Sequence, residues 1–167
     1  MGEMTKKALN EAFAGESMAH MKYLIFSEMA EKEGYHNIAR LFKAIAFAEQ
    51  VHATNHARNL AMIKETESNL QAAIEGETFE VEEMYPAYDA IAKLQNDRDA
   101  ETSIHYALEA EKIHADLYKK AKDAVKNGKD AELEEIYICP VCGYTHVGTP
   151  PEKCPVCGAS KEKFRKF

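Results

Sequence analysis

The sequence predicts a mainly α protein, a four-helix bundle spanning residues 1–134, followed by a small metal-knuckle domain spanning 135–167. Three observations carry this reading. Ala, Glu, Lys, Leu and Met recur at helical spacing from residue 5 to about 126. Two Glu-x-x-His motifs occupy matched positions of an internal repeat. Four cysteines, at 139, 142, 154 and 157, form two Cys-x-x-Cys pairs in a tail of short, Pro- and Gly-punctuated pieces.

Punctuation divides the helical region. Gly34 separates the first helix from the second. Glu65 to Glu67 separates the second from the third, and Ser68-Asn69-Leu70-Gln71 reads as a capping box. Pro86 falls within the third helix and should kink or break it. Asn96 and Asp97 turn the chain into the fourth, which ends at Asn127-Gly128. Gly15-Glu16 matches Gly76-Glu77 at an offset of 61 (76 − 15), and Glu49-x-x-His52 matches Glu111-x-x-His114 at 62 (111 − 49). Two helical hairpins of one design, related by an approximate two-fold axis, would account for this repeat.

Each helix has an apolar stripe that should face inward. The stripes run Leu9, Phe13, Glu16, His20, Tyr23, Ser27; Leu41, Ile45, Glu49, His52, His56, Ile63; Leu70, Ile74, Glu77, Val81, Met84, Tyr88, Ile91; and Ile104, Leu108, Glu111, His114, Tyr118, Ala121, Val125. Every stripe carries a Glu near its middle. Burying an isolated carboxylate costs several kcal/mol, so four in one bundle imply positive charge between them. Residues i and i+3 share a helix face, so Glu49 with His52 and Glu111 with His114 can ligate from one side. A Glu from each of two helices plus Glu-x-x-His from each of the other two is the ligand set of ferritin-like di-iron proteins. Carboxylate-rich ligation with imidazole favours iron or manganese. Glu49 and Glu111 are expected to bridge the two metals. Glu80 breaks the repeat, because its counterpart is Ala19, and it offers an extra ligand. A lone Glu-x-x-His usually marks a solvated helix face; two at matched positions with two further stripe glutamates do not. His20 and His56 read as packed histidines. Tyr23 and Tyr88 read either as core residues or as donors reaching the site.

Cys139-Pro-Val-Cys142-Gly143 and Cys154-Pro-Val-Cys157-Gly158 are nearly identical knuckles that together make a tetrahedral four-sulfur site. Spacing alone slightly favours zinc. The neighbouring carboxylate site shifts the preference to iron, since a one-electron centre would feed the bundle.

With these motifs assembled, the chain resembles rubrerythrins along essentially its whole length. The carrying residues are Glu16, Glu49-x-x-His52, Gly76-Glu77-x-x-Glu80, Met84-Tyr85-Pro86, Glu111-x-x-His114 and both knuckles. The resemblance implies a ferritin-like bundle with a rubredoxin-like Fe(S-Cys)4 domain and a hydrogen peroxide reductase activity. It implies that Glu16 and Glu77 are terminal ligands, that His114 binds the second iron, and that Glu49 and Glu111 bridge. It further implies that His52 and Glu80 exchange at the first iron with oxidation state, and that Tyr23 and Tyr85 lie near the site. Glu49, Glu80, His52 and Tyr23 are the residues assigned to catalysis on this basis. Electrons would come from rubredoxin or an NAD(P)H-linked reductase. A ferroxidase, iron-handling or oxygen-scavenging role on the same fold is the alternative, and a zinc-ribbon interaction module is a more distant one.

The formal net charge of −7 argues against nucleic acid or an anionic membrane as a partner. The start, Met1-Gly2-Glu3-Met4-Thr5, has no apolar run behind basic residues, and Lys6 departs from the myristoylation pattern, so a cytoplasmic location is expected. A second helix of roughly 28 residues would be about 42 Å long, whereas residues 64–68 span at most about 14 Å. A ferritin-like crossover is therefore expected to require a domain-swapped homodimer.

Overall fold

A computed structural model describes all residues, 1–167, as two compact units, Met1–Lys64 and Glu65–Phe167. The first unit is a hairpin of α1 (Glu3–Lys32) and α2 (His36–Asn59). Gly34 takes φ +84° at the turn, a conformation that glycine adopts without Cβ strain. The buried residues of this hairpin are all alanines: Ala30, Ala39, Ala46, Ala53 and Ala57. Ala39, Ala46 and Ala53 recur every seven residues, giving α2 a smooth strip against which α1 can pack closely. Two cross-links reinforce it: Ser27 Oγ donates to the Ala39 carbonyl at 2.8 Å, and His20 Nδ1 lies 2.8 Å from the Ala46 carbonyl.

The second unit begins with α3 (Thr66–Phe79), passes through a π-helical stretch (Glu80–Met84) and continues as α4 (Tyr85–Gln95). Asn96, in the left-handed conformation, turns the chain into α5 (Arg98–Lys126), whose first turn is capped by Asp97 accepting from the Ala100 amide at 3.0 Å. Beyond Lys126 the fold changes from helix to strand. Strands β1 (Ile136–Ile138), β2 (Thr145–Val147) and β3 (Arg165–Lys166) form an antiparallel sheet in the order β2-β1-β3. No helix is long and apolar enough to cross a membrane.

Several sequence expectations need correction. The second helix is 24 residues long and stops at Asn59, so Ile63 lies beyond it. The capping box does not form; Glu65 takes the N-cap position, and Ser68 donates back to the Glu65 carboxylate. The local break expected at Pro86 takes the form of the π stretch between α3 and α4, through which the helical path continues. The Tyr85 amide reaches the Glu80 carbonyl five residues back, and Pro86 sits in the first turn of the α-helix that follows. Widening the backbone just before the proline accommodates its missing N–H and its ring. The inward stripes are also only half covered. Leu41, Ile45, Tyr88 and Ile91 remain 42–57% exposed, because two paired helices shield only one side of each other.

The π segment explains the change of repeat offset. Glu16 and Glu77 are 61 apart, whereas Tyr23 and Tyr85, Ala30 and Ala92, and Gly34 and Asn96 are 62 apart. The one added residue falls between Glu77 and Tyr85, where the helix is π. A π-bulge is what a single insertion in a helix produces. Glu80, which has no acidic counterpart in the first hairpin, lies at its start.

Candidate metal centres

Each unit brings together three ligand-bearing side chains from two helices, with their donor atoms all within 4.8 Å. In the first hairpin these are Glu16 from α1 and Glu49 and His52 from α2. His52 Nδ1 lies 2.9 Å from Glu49 Oε2 and 3.9 Å from Glu16 Oε1, and the His52 side chain is half exposed. In the second unit they are Glu77 from α3 and Glu111 and His114 from α5. Here His114 Nδ1 lies 2.6 Å from Glu111 Oε2 and 3.9 Å from Glu77 Oε1, and all three side chains are less than a third exposed. The i, i+3 spacing does this work in both cases: it stacks carboxylate and imidazole on one face.

The second group presses carboxylates together. Burial, followed by a hydrogen bond and repulsion from Glu111 and by repulsion from Glu80, raises the Glu77 pKa to about 8. Glu80 is not among the three closest ligands. Its carboxyl is nevertheless raised by burial and by Glu111, and opposed by His114. Burial and the charges of Glu80, Glu111 and Glu77 hold the Tyr85 phenol above its ordinary value, which places Tyr85 among these acids. Tyr23 instead joins an aromatic cluster with Phe26 and Phe42, at centroid distances of 6.3 and 6.1 Å. His20 is engaged by the Ala46 carbonyl, and Tyr88 stacks edge-on with Tyr85 at 6.4 Å.

The third group is Cys139, Cys142, Cys154 and Cys157. The two knuckles repeat one hydrogen-bond pattern. Gly143 and Gly158 amides donate to the Cys139 and Cys154 carbonyls at 2.9 Å, and Cys139 and Cys154 amides donate to Tyr144 and Ala159 carbonyls at 2.9 and 2.7 Å. Gly143 and Gly158 adopt φ of +78° and +76°, the left-handed geometry each turn requires. Burial pushes the Cys142 and Cys157 thiols up, while the Tyr144 and Ala159 amides point at their sulfurs. Burial also opposes ionisation of Cys154, but the Cys157 and Val156 amides and the neighbouring thiols hold it below the ordinary value. Sγ–Sγ distances are 3.5 Å for Cys139–Cys157 and for Cys142–Cys154. A tetrahedron with metal–sulfur bonds of about 2.3 Å has edges of about 3.8 Å, so the sulfurs already stand close to ligating positions.

A family model described as "Rubrerythrin" matches residues 7–122, and a second, "Rubrerythrin, rubredoxin-like domain", matches 137–165. The chain belongs to the rubrerythrin family. Rubrerythrin-2 of Clostridium acetobutylicum is 48% identical, over 98% of this chain and 97% of that protein. Nigerythrin of Nitratidesulfovibrio vulgaris is 33% identical, over 98% and 86%. Among solved structures, the partially reduced and the fully reduced, all-ferrous states of nigerythrin each align with a TM-score of 0.58 at 32% identity, covering all of this chain and 88% of that one.

As a rubrerythrin-family oxidoreductase, the protein is an iron protein with a di-iron carboxylate and histidine site and a rubredoxin-like four-cysteine site. The donor sets fit both. Two-carboxylate, one-imidazole groups suit divalent iron, and the four converging sulfurs suit a single iron. Sequence reasoning missed the residues that join the sites within the second unit. Tyr106 packs against the cysteine cluster, Ala110 lies against Gly143, and Thr145 meets His114. The only sequence signal for Thr145 is its place three residues after Cys142, matched by Ser160 after Cys157.

Proposed function

We propose that this protein is a non-haem di-iron peroxidase, reducing hydrogen peroxide to water in oxidative-stress defence, with electrons entering through the four-cysteine site. The carrying observation is the seating of the first knuckle on α5. Gly143 faces Ala110, and Thr145 bonds to the imidazole of the Glu111-x-x-His114 motif, so an electron donor and a carboxylate site share one helix. An iron-storage role would have no use for such a junction.

Reduction of hydrogen peroxide consumes two electrons and two protons and yields two waters. The bound, reduced iron pair supplies those electrons and the Lewis acidity that O–O cleavage needs. Glu49 and Glu111 would bridge the pair, with Glu16, Glu77 and His114 as terminal ligands. His52 and Glu80 would alternate at one position. Of all the proposed ligands His52 has the most exposed side chain among the two clusters, and Glu80 stands outside the tight trio, so both have room to move. Tyr85 keeps its proton through the neutral range, so its hydroxyl would be available beside these acids as a hydrogen-bond and proton donor. Tyr23 would do the same from the first hairpin.

The two hairpins are proposed to complete one another between two copies of the chain. The observed α2 would be about 36 Å long, and residues 60–65 could span only about 25 Å even fully extended, too short for a return along a ferritin-like bundle. The large apolar side chains left open on each hairpin would be covered in that homodimer. Rubredoxin or an NAD(P)H-linked reductase in the cytoplasm is the proposed electron donor. The test is an anaerobic visible spectrum: full reduction should bleach the red Fe(S-Cys)4 colour, and hydrogen peroxide added in excess of the electrons held by the di-iron and four-cysteine sites together should restore it promptly. Persistent bleaching would reject the peroxidase reading.

A further inference from the structure

Thr145 is buried, at 5% exposed, and is the only buried polar side chain in the protein. Its hydroxyl donates to the Gly143 carbonyl at 3.2 Å. The same oxygen lies 2.8 Å from His114 Nε2. A hydroxyl has one proton; with it directed at Gly143, Oγ1 accepts from the imidazole in the tautomer that carries hydrogen on Nε2. This leaves Nδ1, the nitrogen that faces Glu111 and Glu77, as the atom available for a metal. The partner peptide extends the chain of contacts. The carbonyl that Thr145 engages belongs to Gly143, and the amide of that same peptide group, on Tyr144, points at the Cys142 sulfur.

We propose that Thr145 is a positioning residue that couples the two iron centres through the continuous path His114 Nε2–H, Thr145 Oγ1–H, the Gly143–Tyr144 peptide and Cys142 Sγ. Hydrogen bonds in series polarise one another. A change of charge at the imidazole is therefore felt as a change in the N–H···S bond at Cys142, and the reverse holds by the same path. Outer partners of a ligating histidine fix its tautomer and raise its basicity. The second knuckle supplies an internal control. Ser160 stands in the equivalent position, is exposed, and bonds to Glu162, away from any metal ligand.

The inference rests on both centres holding iron, as in the reading above, but its test uses no peroxide. Full-length, iron-loaded Thr145→Val, Thr145→Ser and Ser160→Ala proteins are compared anaerobically. Chelator competition reads the ferrous affinity of the carboxylate site, and a dye-mediated titration reads the potential of the red centre with and without carboxylate-site iron. Valine keeps the branched shape and removes the hydroxyl. In Thr145→Val the affinity should fall roughly 10- to 100-fold. The potential should fall, because the N–H···S bond weakens, and should no longer respond to iron in the carboxylate site. Serine should restore both properties, and Ser160→Ala should change neither. Unaltered affinity and potential in Thr145→Val would overturn the proposal, as would a serine variant that behaves like valine. Failure of the separate peroxide test described above, alongside the Thr145→Val effect, would reject the peroxidase reading and leave this coupling standing.

Discussion

Replacing Glu77 by glutamine should stabilise the iron-free protein, and increasingly so as pH rises. The Glu77 carboxyl ionises near 4.5 in an unfolded chain and at about 8 in the folded one, first because it is buried and then because Glu111 and Glu80 repel its charge. Between those values the folded state holds a proton that the unfolded state has lost. Folding stability therefore falls as pH rises from about 4.5 to 8, and is level on either side of that window. Two like charges with oxygens up to 4.8 Å apart repel by about 3–4 kcal/mol at an effective dielectric of 20. The span from 4.5 to about 8 corresponds to an upper limit of about 5 kcal/mol. Water still reaches a Glu77 side chain that is 17% exposed, which brings the expected loss to about 2–3 kcal/mol. The assay is chemical denaturation followed by helical circular dichroism at pH 5 to 9, on iron-free wild type and Glu77→Gln. Contributions from the cysteines and from acids remote from Glu77 are common to both proteins and cancel in the difference; Glu111 and Glu80, which face Glu77, respond to its replacement and are part of the effect measured. That difference should be small at pH 5 and grow to about 2–3 kcal/mol by pH 8. A difference independent of pH would refute the reasoning. Ferrous iron should reverse the order, since wild type has the negative ligand and the variant does not.

Cys142→Ser should remove the red colour and one iron per chain while leaving bundle iron in place, as read by metal analysis. Deleting Glu82, an exposed residue of the π segment, removes the one residue the π turn absorbs and should return that stretch to regular α-helix with α4 still in register; helical content should persist while the denaturation midpoint falls, because the Pro86 ring then meets a regular helical turn. Ala46→Leu, at a position that is 0% exposed between α1 and α2, should cost about 1–3 kcal/mol by overpacking, seen as a lower denaturation midpoint. Sedimentation of the iron-loaded protein should give a dimer, and a monomer with full di-iron occupancy would defeat the swapped arrangement.

Much of this chain could be read before folding it. The ligand spacings are local facts: i, i+3 places Glu111 beside His114, and Cys-x-x-Cys-Gly dictates a knuckle, whatever surrounds them. The helix boundaries at Gly34 and Asn96 follow from residues that tolerate positive φ. The apolar stripes were less informative, because they marked large residues as the buried face. The hairpins bury alanines such as Ala30 and Ala92, Ala53 and Ala115, paired at the repeat offset of 62. Close helix approach is set by the smallest side chains at the contact, and a periodicity scan weights the largest.

Composition, repeat and motif spacing by themselves determined the class of fold, the two kinds of metal ligand set and the domain order, since each depends on neighbours within a few residues. The tertiary structure alone decided three things. The helix absorbs Pro86 and the one-residue offset in a π turn before Tyr85, because backbone hydrogen bonds can lengthen where a proline offers no donor. In the iron-free protein the Glu77 pKa rises to about 8, because folding takes the carboxyl away from water and presses it against Glu111, distant in sequence. Thr145 reaches His114 across 31 positions of chain, because β2 folds back onto α5, and no local pattern encodes which strand residue faces which helix turn.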